Sequence, residues 1–256
     1  MLKHIKKIYK TILTEKTRIK LHYIKFYIRG YFYSGSKVTC VCCNKSFTKF
    51  LPHGNVKRQN AVCPSCNTLE RNRVLFLYLR DKTNFFHDQL TVLHFAPEYR
   101  LEKIFRKMKN LNYTSGDINP DLAMQQVDIQ SIGFPDNHFD VIICSHVLGH
   151  VPDEAKALSE LRRVLKPEGS AIIMTKIYED IQSTFEASGM YNAEDQEIFR
   201  KHGKDFPESL KEGGFDVSII DVAKDVGNVA VVKYGLGEKE LIYLCKRKAE
   251  SKKFKV

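Results

Sequence analysis

Apolar positions follow two rhythms along this chain. From Leu90 to Thr175 short apolar runs alternate with stretches of helical period: Val92-Leu93-His94-Phe95-Ala96 reads as a strand, Glu98 to Lys109 as a helix, and a second strand ends at Gly116-Asp117. Val141-Ile142-Ile143-Cys144-Ser145 reads as another strand, then come a charged helix, the turn Lys166-Pro167-Glu168-Gly169-Ser170 and the apolar run Ala171 to Thr175. Strands alternating with helices imply βαβ units and a parallel sheet, whose ligands sit beyond the carboxyl ends of the strands. Lys204 to Gly214 reads as a helix, and Val217 to Ile220 and Leu241 to Leu244 as the last two strands.

The second rhythm opens the chain. Advancing about 100° per residue, Leu2, Ile5, Ile8, Tyr9, Ile12, Leu13, Ile19, Tyr23, Phe26 and Tyr27 share one side of a helix, while Lys3, Lys6, Lys7, Lys10, Arg18, Lys25 and Arg29 share the other. An apolar face beside a Lys/Arg face suits a helix lying in an anionic membrane interface. It also suits a helix docked on its own domain or on a partner, with its lysines solvated.

Between these segments stand Cys40-Val41-Cys42-Cys43 and Cys63-Pro64-Ser65-Cys66, two C-x2-C pairs with 19 residues between them. Cys40, Cys43, Cys63 and Cys66 supply four thiolates for a tetrahedral zinc ion, and a closed set of four leaves no open position for water, so the metal is expected to be structural. Cys42 should point away from the knuckle, and His53 reads as a surface residue. Asn67 is placed to cap a helix running Arg71 to Arg80, with Glu70 at its third position. Glu70, Arg71 and Arg73 fall where the cysteine module meets the sheet, either as an ion-pair seam or as one wall of a cleft.

Composition changes the picture in one respect. The formal charge of +11 resembles a nucleic-acid signal, but residues 1–36 carry nine Lys or Arg against Glu15, and residues 246–256 carry six against Glu250. The body between is therefore slightly acidic, which argues against nucleic acid as partner. No run reaches the roughly 18 uncharged apolar residues of a spanning helix, and four of the seven cysteines have metal-ligand spacing, so the chain reads as a reduced, cytoplasmic protein. The division expected is 1–36 basic amphipathic helix, 37–67 zinc ribbon, 68–246 main domain and 247–256 basic tail.

Residues 90–176, with Phe134-Pro135-Asp136-Asn137-His138-Phe139-Asp140 through Leu148 and Leu161-Arg162-Arg163-Val164-Leu165-Lys166-Pro167-Glu168-Gly169 as the most specific stretches, resemble class I S-adenosylmethionine-dependent methyltransferases. Residues 38–246 resemble small bacterial members with an N-terminal zinc knuckle and a segment like Cys63-Pro64-Ser65-Cys66 followed by Leu69-Glu70-Arg71-Asn72-Arg73. The resemblance implies an α/β, doubly wound, Rossmann-like seven-stranded sheet with S-adenosylmethionine as cofactor. Asp117 is then placed to accept the ribose hydroxyls, Asp128 and Ile129 to meet the adenine, and Ser145 and His146 to face the methionine end and the acceptor. Phe95, Ala96, Pro97 and Ile118 complete the expected cofactor set. His146 and His150 are the candidate proton acceptors, since imidazole titrates near neutrality; His150 also suits a packed or capping role.

Two departures stand out. Phe95-Ala96-Pro97-Glu98 replaces the usual glycine-rich first loop, and Gly149 occupies a position where related proteins carry Glu, which removes an acid able to orient a histidine. Tyr178 to Asp205, with Glu186, Tyr191, Glu194, Asp195, Glu197 and His202, interrupts the alternation and is the candidate lid, though a solvated helical face accounts for its charges equally well. Cys144 and Cys245 read as core thiols. The function expected is methyl transfer to a hydroxyl or carboxyl of a small molecule or glycan intermediate, at the membrane surface if the first helix binds there. An RNA methyltransferase and a cofactor-free scaffold are the competing readings.

Overall fold

A computed structural model of the protein describes residues 14–54, 57–191, 197–237 and 239–248. Its centre is a seven-stranded sheet ordered β12-β13-β9-β8-β5-β6-β7. The strands are β5 (Leu90–Phe95), β6 (Leu111–Asp117), β7 (Gln125–Gln126), β8 (Phe139–Ser145), β9 (Leu165–Met174), β12 (Phe215–Ile220) and β13 (Ile242–Arg247). The five from β7 to β9 run parallel, while β13 lies antiparallel between β9 and β12. The fold is thus the α/β, doubly wound, Rossmann-like sheet expected. Chain order reverses between β5 and β8, which opens a crevice at their carboxyl ends.

The apolar runs make these strands because both faces are covered. On β5, Val92 enters one core with Val74, Leu75, Leu101 and Phe105, while Leu93 and Phe95 enter the other with Ile142, Leu161 and Phe206. The helices packed there are α2 (Glu70–Asp81), α3 (Tyr99–Phe105), α4 (Glu154–Val164) and α5 (Phe206–Glu212). The Asp153 side chain caps α4 by accepting from the Lys156 N–H at 2.9 Å, an arrangement worth about 1 kcal/mol. Cys144 and Cys245 are buried in the second core.

Four elements depart from the expected pattern. Asn67 does not cap α2: it takes a left-handed φ of 58°, and the helix starts after Leu69, whose N–H donates to the Asn72 side chain at 2.7 Å. The expected helix Glu98 to Lys109 stops at Phe105. The interrupting segment is neither a helix nor a loop but a hairpin, β10 (Phe185–Tyr191) and β11 (Glu197–Lys201); Glu194 and Asp195 lie outside the described residues. An unexpected helix, α6 (Val222–Tyr234), follows β12. Its sequence is dominated by β-branched valines, and Gly227 at φ 77° kinks it, which hides the helical period.

The cysteine module consists of two hairpins, β1 (Ser34–Cys40) with β2 (Lys45–Phe47) and β3 (Leu51–His53) with β4 (Arg58–Val62). Arg73 joins it to the sheet domain. This fully buried side chain donates to the carbonyls of Thr68 at 2.8 Å, Ala61 at 2.9 Å and Tyr234 at 2.8 Å, and its guanidinium lies 4.2 Å from the Phe50 ring centre. Glu70, by contrast, pairs with Arg58 at 3.3 Å.

Residues 2–13 of the basic amphipathic helix lie outside the described residues, as does the tail beyond Lys248. The described part, α1 (Glu15–Phe32), docks on its own protein: Phe26 is buried, Tyr23 stacks on Tyr99 with centroids 3.8 Å apart, and Arg29 Nε donates to the Pro64 carbonyl at 3.0 Å. Gly30 permits this approach, because a Cβ there would sit 2.6 Å from Ser65 Cβ. A second stripe, Leu21, Ile24, Tyr27, Ile28 and Tyr31, remains exposed. Among the described residues no helix is long and apolar enough to cross a membrane.

Candidate active site

The carboxyl ends of the parallel strands hold the residues singled out from the sequence. Phe95 ends β5, Asp117 ends β6 and Ser145 ends β8, with Ala96 and His146 following directly. Ala96 and His146 both adopt left-handed backbone, φ 44° and 57°, so each strand turns sharply off the sheet and leaves the crevice open. Ala96 therefore takes a conformation usually given to glycine, at a cost of roughly 1 kcal/mol, and its N–H donates to the Gly116 carbonyl at 2.9 Å.

A cleft of about 200 Å³ occupies the crevice. Phe95, Ala96, Asp117, Ile118, Asp128, Ile129, His146 and His150 line it together with Gly116, Val127, Gln130 and Val151. Pro97 and Ser145 are not among the lining residues; Ser145 is buried and its Oγ has no hydrogen-bond partner. The two aspartates are held by short turns. Asp117 Oδ1 accepts from the Asn119 N–H and Asp128 Oδ1 from the Gln130 N–H, each at 2.8 Å. Burial pushes the Asp117 carboxyl above its ordinary range despite the Asn119 bond, as expected for a carboxylate short of donors.

On the far side of His146 and His150 lies a second cavity of about 310 Å³. Arg58 of β4, Arg71 of α2, Lys176 and Tyr178 after β9, and Arg200 and His202 of the hairpin segment border it. The hairpin is anchored here: Arg200 Nη1 donates to the Val151 carbonyl at 2.7 Å, Glu186 lies 3.1 Å from Arg200, and His202 bridges Thr175 Oγ1 at 2.8 Å and Glu154 at 2.7 Å. The segment expected as a lid thus borders this cavity as a strand pair. His53 also borders this cavity rather than facing open solvent.

The two histidines differ. His150 Nδ1 is 2.6 Å from the Glu197 carbonyl oxygen. A carbonyl only accepts, so Nδ1 carries the proton and Nε2 is left with a lone pair in the neutral ring. Burial holds the His146 imidazole below its ordinary pKa, and the positive Arg71 pushes the same way; Glu240, 3.6 Å from Nε2, opposes them. Glu240 was missed from the sequence because it lies 94 positions from His146, in the loop before β13. A buried pair was missed too: His94 contacts Glu98 at 3.3 Å, and Glu98 in turn accepts from Asn72 at 2.6 Å.

The four cysteines converge as their spacing implied. All four sulfurs lie within 4.8 Å of one another, with Cys40–Cys66 at 3.6 Å and Cys43–Cys63 at 3.8 Å. A tetrahedron with Zn–S near 2.3 Å has sulfurs about 3.8 Å apart, so the cluster fits a zinc knuckle. Thr68 Oγ1, 3.4 Å from Cys40 Sγ and 3.2 Å from Cys66 Sγ, is positioned to donate to a thiolate. Cys42 turns away toward the Asn72 carbonyl.

Residues 85–173 match the family described as a methyltransferase domain. The match covers β5 to β8 and nearly all of β9, about a third of the chain. The ubiquinone/menaquinone biosynthesis C-methyltransferase of Psychromonas ingrahamii is 38% identical over 64 residues, 24% of this chain and 26% of that protein. Its counterpart from Paraburkholderia phymatum is 31% identical over 87 residues, 33% of this chain and 35% of that protein. The chain spans between 15% and 35% of the length of the curated relatives it matches. A crystal structure from Listeria monocytogenes, assigned as an S-adenosylmethionine-dependent methyltransferase, superposes with a TM-score of 0.51 at 14% identity, covering 70% of this chain and 99% of that one. At that identity the likeness concerns the fold. The matched residues supply the β5–β9 edge of the cleft, whereas Arg58 and Arg200 of the second cavity come from outside them.

Proposed function

We propose that the protein transfers a methyl group from S-adenosylmethionine to a hydroxyl or carboxyl of a small molecule or glycan intermediate, with His146 and His150 between donor and acceptor. The observation that carries this reading is the shared wall: the same two histidines border the crevice cleft and the cavity behind it. Asp117 would accept the ribose hydroxyls, the Asp128–Gln130 turn with Ile129 would border the adenine, and Phe95, Ala96 and Ile118 would supply the apolar surround. An under-hydrogen-bonded Asp117 carboxylate beside apolar walls fits such a nucleoside. When bound, the sulfonium supplies an already activated methyl group, so the protein's task is alignment and proton removal. His146, whose pKa burial lowers, and His150, whose neutral ring would present Nε2 as the lone-pair nitrogen, can each accept the acceptor's proton. Four thiolates from Cys40, Cys43, Cys63 and Cys66 would hold a structural zinc ion.

The organisation we infer is a basic helix (1–36), a zinc ribbon (37–67), the catalytic domain (68–246) and a basic tail (247–256). The exposed stripe Leu21, Ile24, Tyr27, Ile28 and Tyr31, flanked by Lys20 and Lys25, supports peripheral attachment to the cytoplasmic face of an anionic membrane. Incubation of the protein with methyl-labelled S-adenosylmethionine and a cell metabolite extract tests the activity. Label entering a small molecule, and lost in Asp117→Ala, is expected; absence of both transfer and cofactor binding contradicts it.

A further inference from the structure

The cavity behind His146 and His150 gathers positive charge. Arg58, Arg71, Lys176 and Arg200 border it, with four histidines, and no Asp or Glu among the described residues lines it. The body between the two basic ends is slightly acidic, so general basicity does not explain the concentration. The cations also come from four separate places in the fold: β4, the first turn of α2, the segment after β9, and β11.

Carboxylates do approach these groups, but from outside the lining. Glu70 holds Arg58 at 3.3 Å, Glu186 and Glu154 lie 3.1 and 3.9 Å from Arg200, and Glu154 lies 2.7 Å from His202. They fix the side chains in place. Arg71 is different: its Nε is buried without a hydrogen-bond partner, although the charges of Glu98 and Glu240 are close enough to feel it. Among the described residues no carboxylate lies within ion-pair distance of Arg71, which borders the cavity, so its guanidinium is available to an oxyanion seated there. A single carboxylate needs one planar fork, whereas cations arriving from several directions suit a tetrahedral dianion.

Gly149 completes the picture. A Cβ built there would meet only the Arg200 carbonyl at 3.4 Å and His202 Cε1 at 3.8 Å, so a side chain at this position would enter the cavity. Glycine here leaves the space open and free of negative charge.

We propose that this cavity binds a phosphoryl group carried by the methyl acceptor, with Arg71 as its principal ligand and Arg58 and Lys176 beside it. The proposal rests on the methyltransferase reading for the word acceptor; the anion site itself does not. With the phosphoryl group seated among the arginines, a hydroxyl elsewhere on the same small molecule reaches the histidine wall.

The test is calorimetric titration of the full chain with inorganic phosphate and with glycerol 3-phosphate, in the presence of S-adenosylhomocysteine, with glycerol as the uncharged control. Both phosphates should bind and glycerol should not. Arg71→Gln should weaken phosphate binding by roughly tenfold or more. Gly149→Glu should do the same, while Gly149→Gln, equal in size and uncharged, should change it by less than about threefold. Equal losses in the Glu and Gln variants would overturn the proposal, since bulk alone would then account for them. Phosphate heats unchanged in Arg71→Gln would overturn it as well. Phosphate that fails to bind a protein that still takes up S-adenosylhomocysteine refutes the anion site and spares the methyltransferase reading, whereas phosphate binding without the nucleoside does the reverse. Vesicles of phosphatidic acid in phosphatidylcholine separate the sources: capture that depends on Arg71 assigns the group to a lipid headgroup, and binding of soluble esters without such capture assigns it to a soluble phosphoester.

Discussion

Two cavities meet at His146 and His150, and they are built in opposite ways. The crevice cleft is apolar with two aspartates and is assembled from strand ends within one stretch, Phe95 to Pro152. The cavity behind it is cationic and is assembled from places as far apart as His53 and His202. The contrast separates two tasks. In the proposed function, holding a nucleoside would fall to the sheet edge common to the fold, and choosing an acceptor to what has been added around it: the cysteine module, the first turn of α2 and the hairpin. Changes on one side should therefore leave the other largely intact, and each prediction below is a way to break or refine that separation.

The largest effect is expected from Arg73→Met. It leaves the Thr68, Ala61, Tyr234 and Gly235 carbonyls without their donor where the cysteine module meets the domain. Removing one partner from such a buried network costs about 3–5 kcal/mol, and urea denaturation should register it. A loss below about 1 kcal/mol would mean that the module is not held through this residue.

Metal removal comes next. With zinc held by the four thiolates as proposed, chelation or Cys63→Ser should release it and disorder the strand carrying Arg58, lowering phosphate affinity by about tenfold or more while nucleoside affinity changes by less than about threefold. Metal analysis and paired titrations measure both quantities. An equal loss on both sides would erase the proposed separation.

Asp117→Ala acts on the other side alone. Loss of a charged hydrogen-bond acceptor should weaken nucleoside binding by about 1.5–3 kcal/mol and leave phosphate binding unchanged, both readable by calorimetry.

The wall between the cavities should respond to pH. Burial lowers the His146 pKa below 6.5, so in the window just below 6.5 the unfolded chain binds a proton that the folded chain refuses. Stability from this residue is therefore present above 6.5 and is lost as pH falls through that window. Comparing the denaturation midpoints of the protein and of His146→Gln between about pH 5 and 7.5 isolates the contribution; identical pH dependences would place His146 in contact with solvent. Ala96→Gly should have the smallest effect, within about 1 kcal/mol, because relief of the left-handed backbone offsets the added freedom of the unfolded chain.

The same contrast explains what could be read from the sequence. Strand ends announce themselves: an apolar run followed by Asp117, or by Ser145-His146, fixes both the element and the position of its last residue, because strand pairing sets the register locally. The four cysteines are equally legible, since two short turns bring each pair together before any tertiary contact forms. Arg58, Arg200 and Glu240 have no such local signature; only the packing of distant elements brings them to the histidines. The helix α6 escaped notice because β-branched residues and Gly227 obscure its period, and the hairpin because its charges resemble a solvated surface. The glycine-poor loop looked like a defect in the sequence, but Ala96 takes up the left-handed turn itself.

The most direct test of the account is titration of the purified protein with S-adenosylmethionine in a calorimeter. The arrangement of Asp117, Asp128 and the apolar crevice predicts saturable binding of one equivalent, weakened in Asp117→Ala. No detectable heat at millimolar cofactor, from protein shown to be folded and to hold its metal, would contradict it.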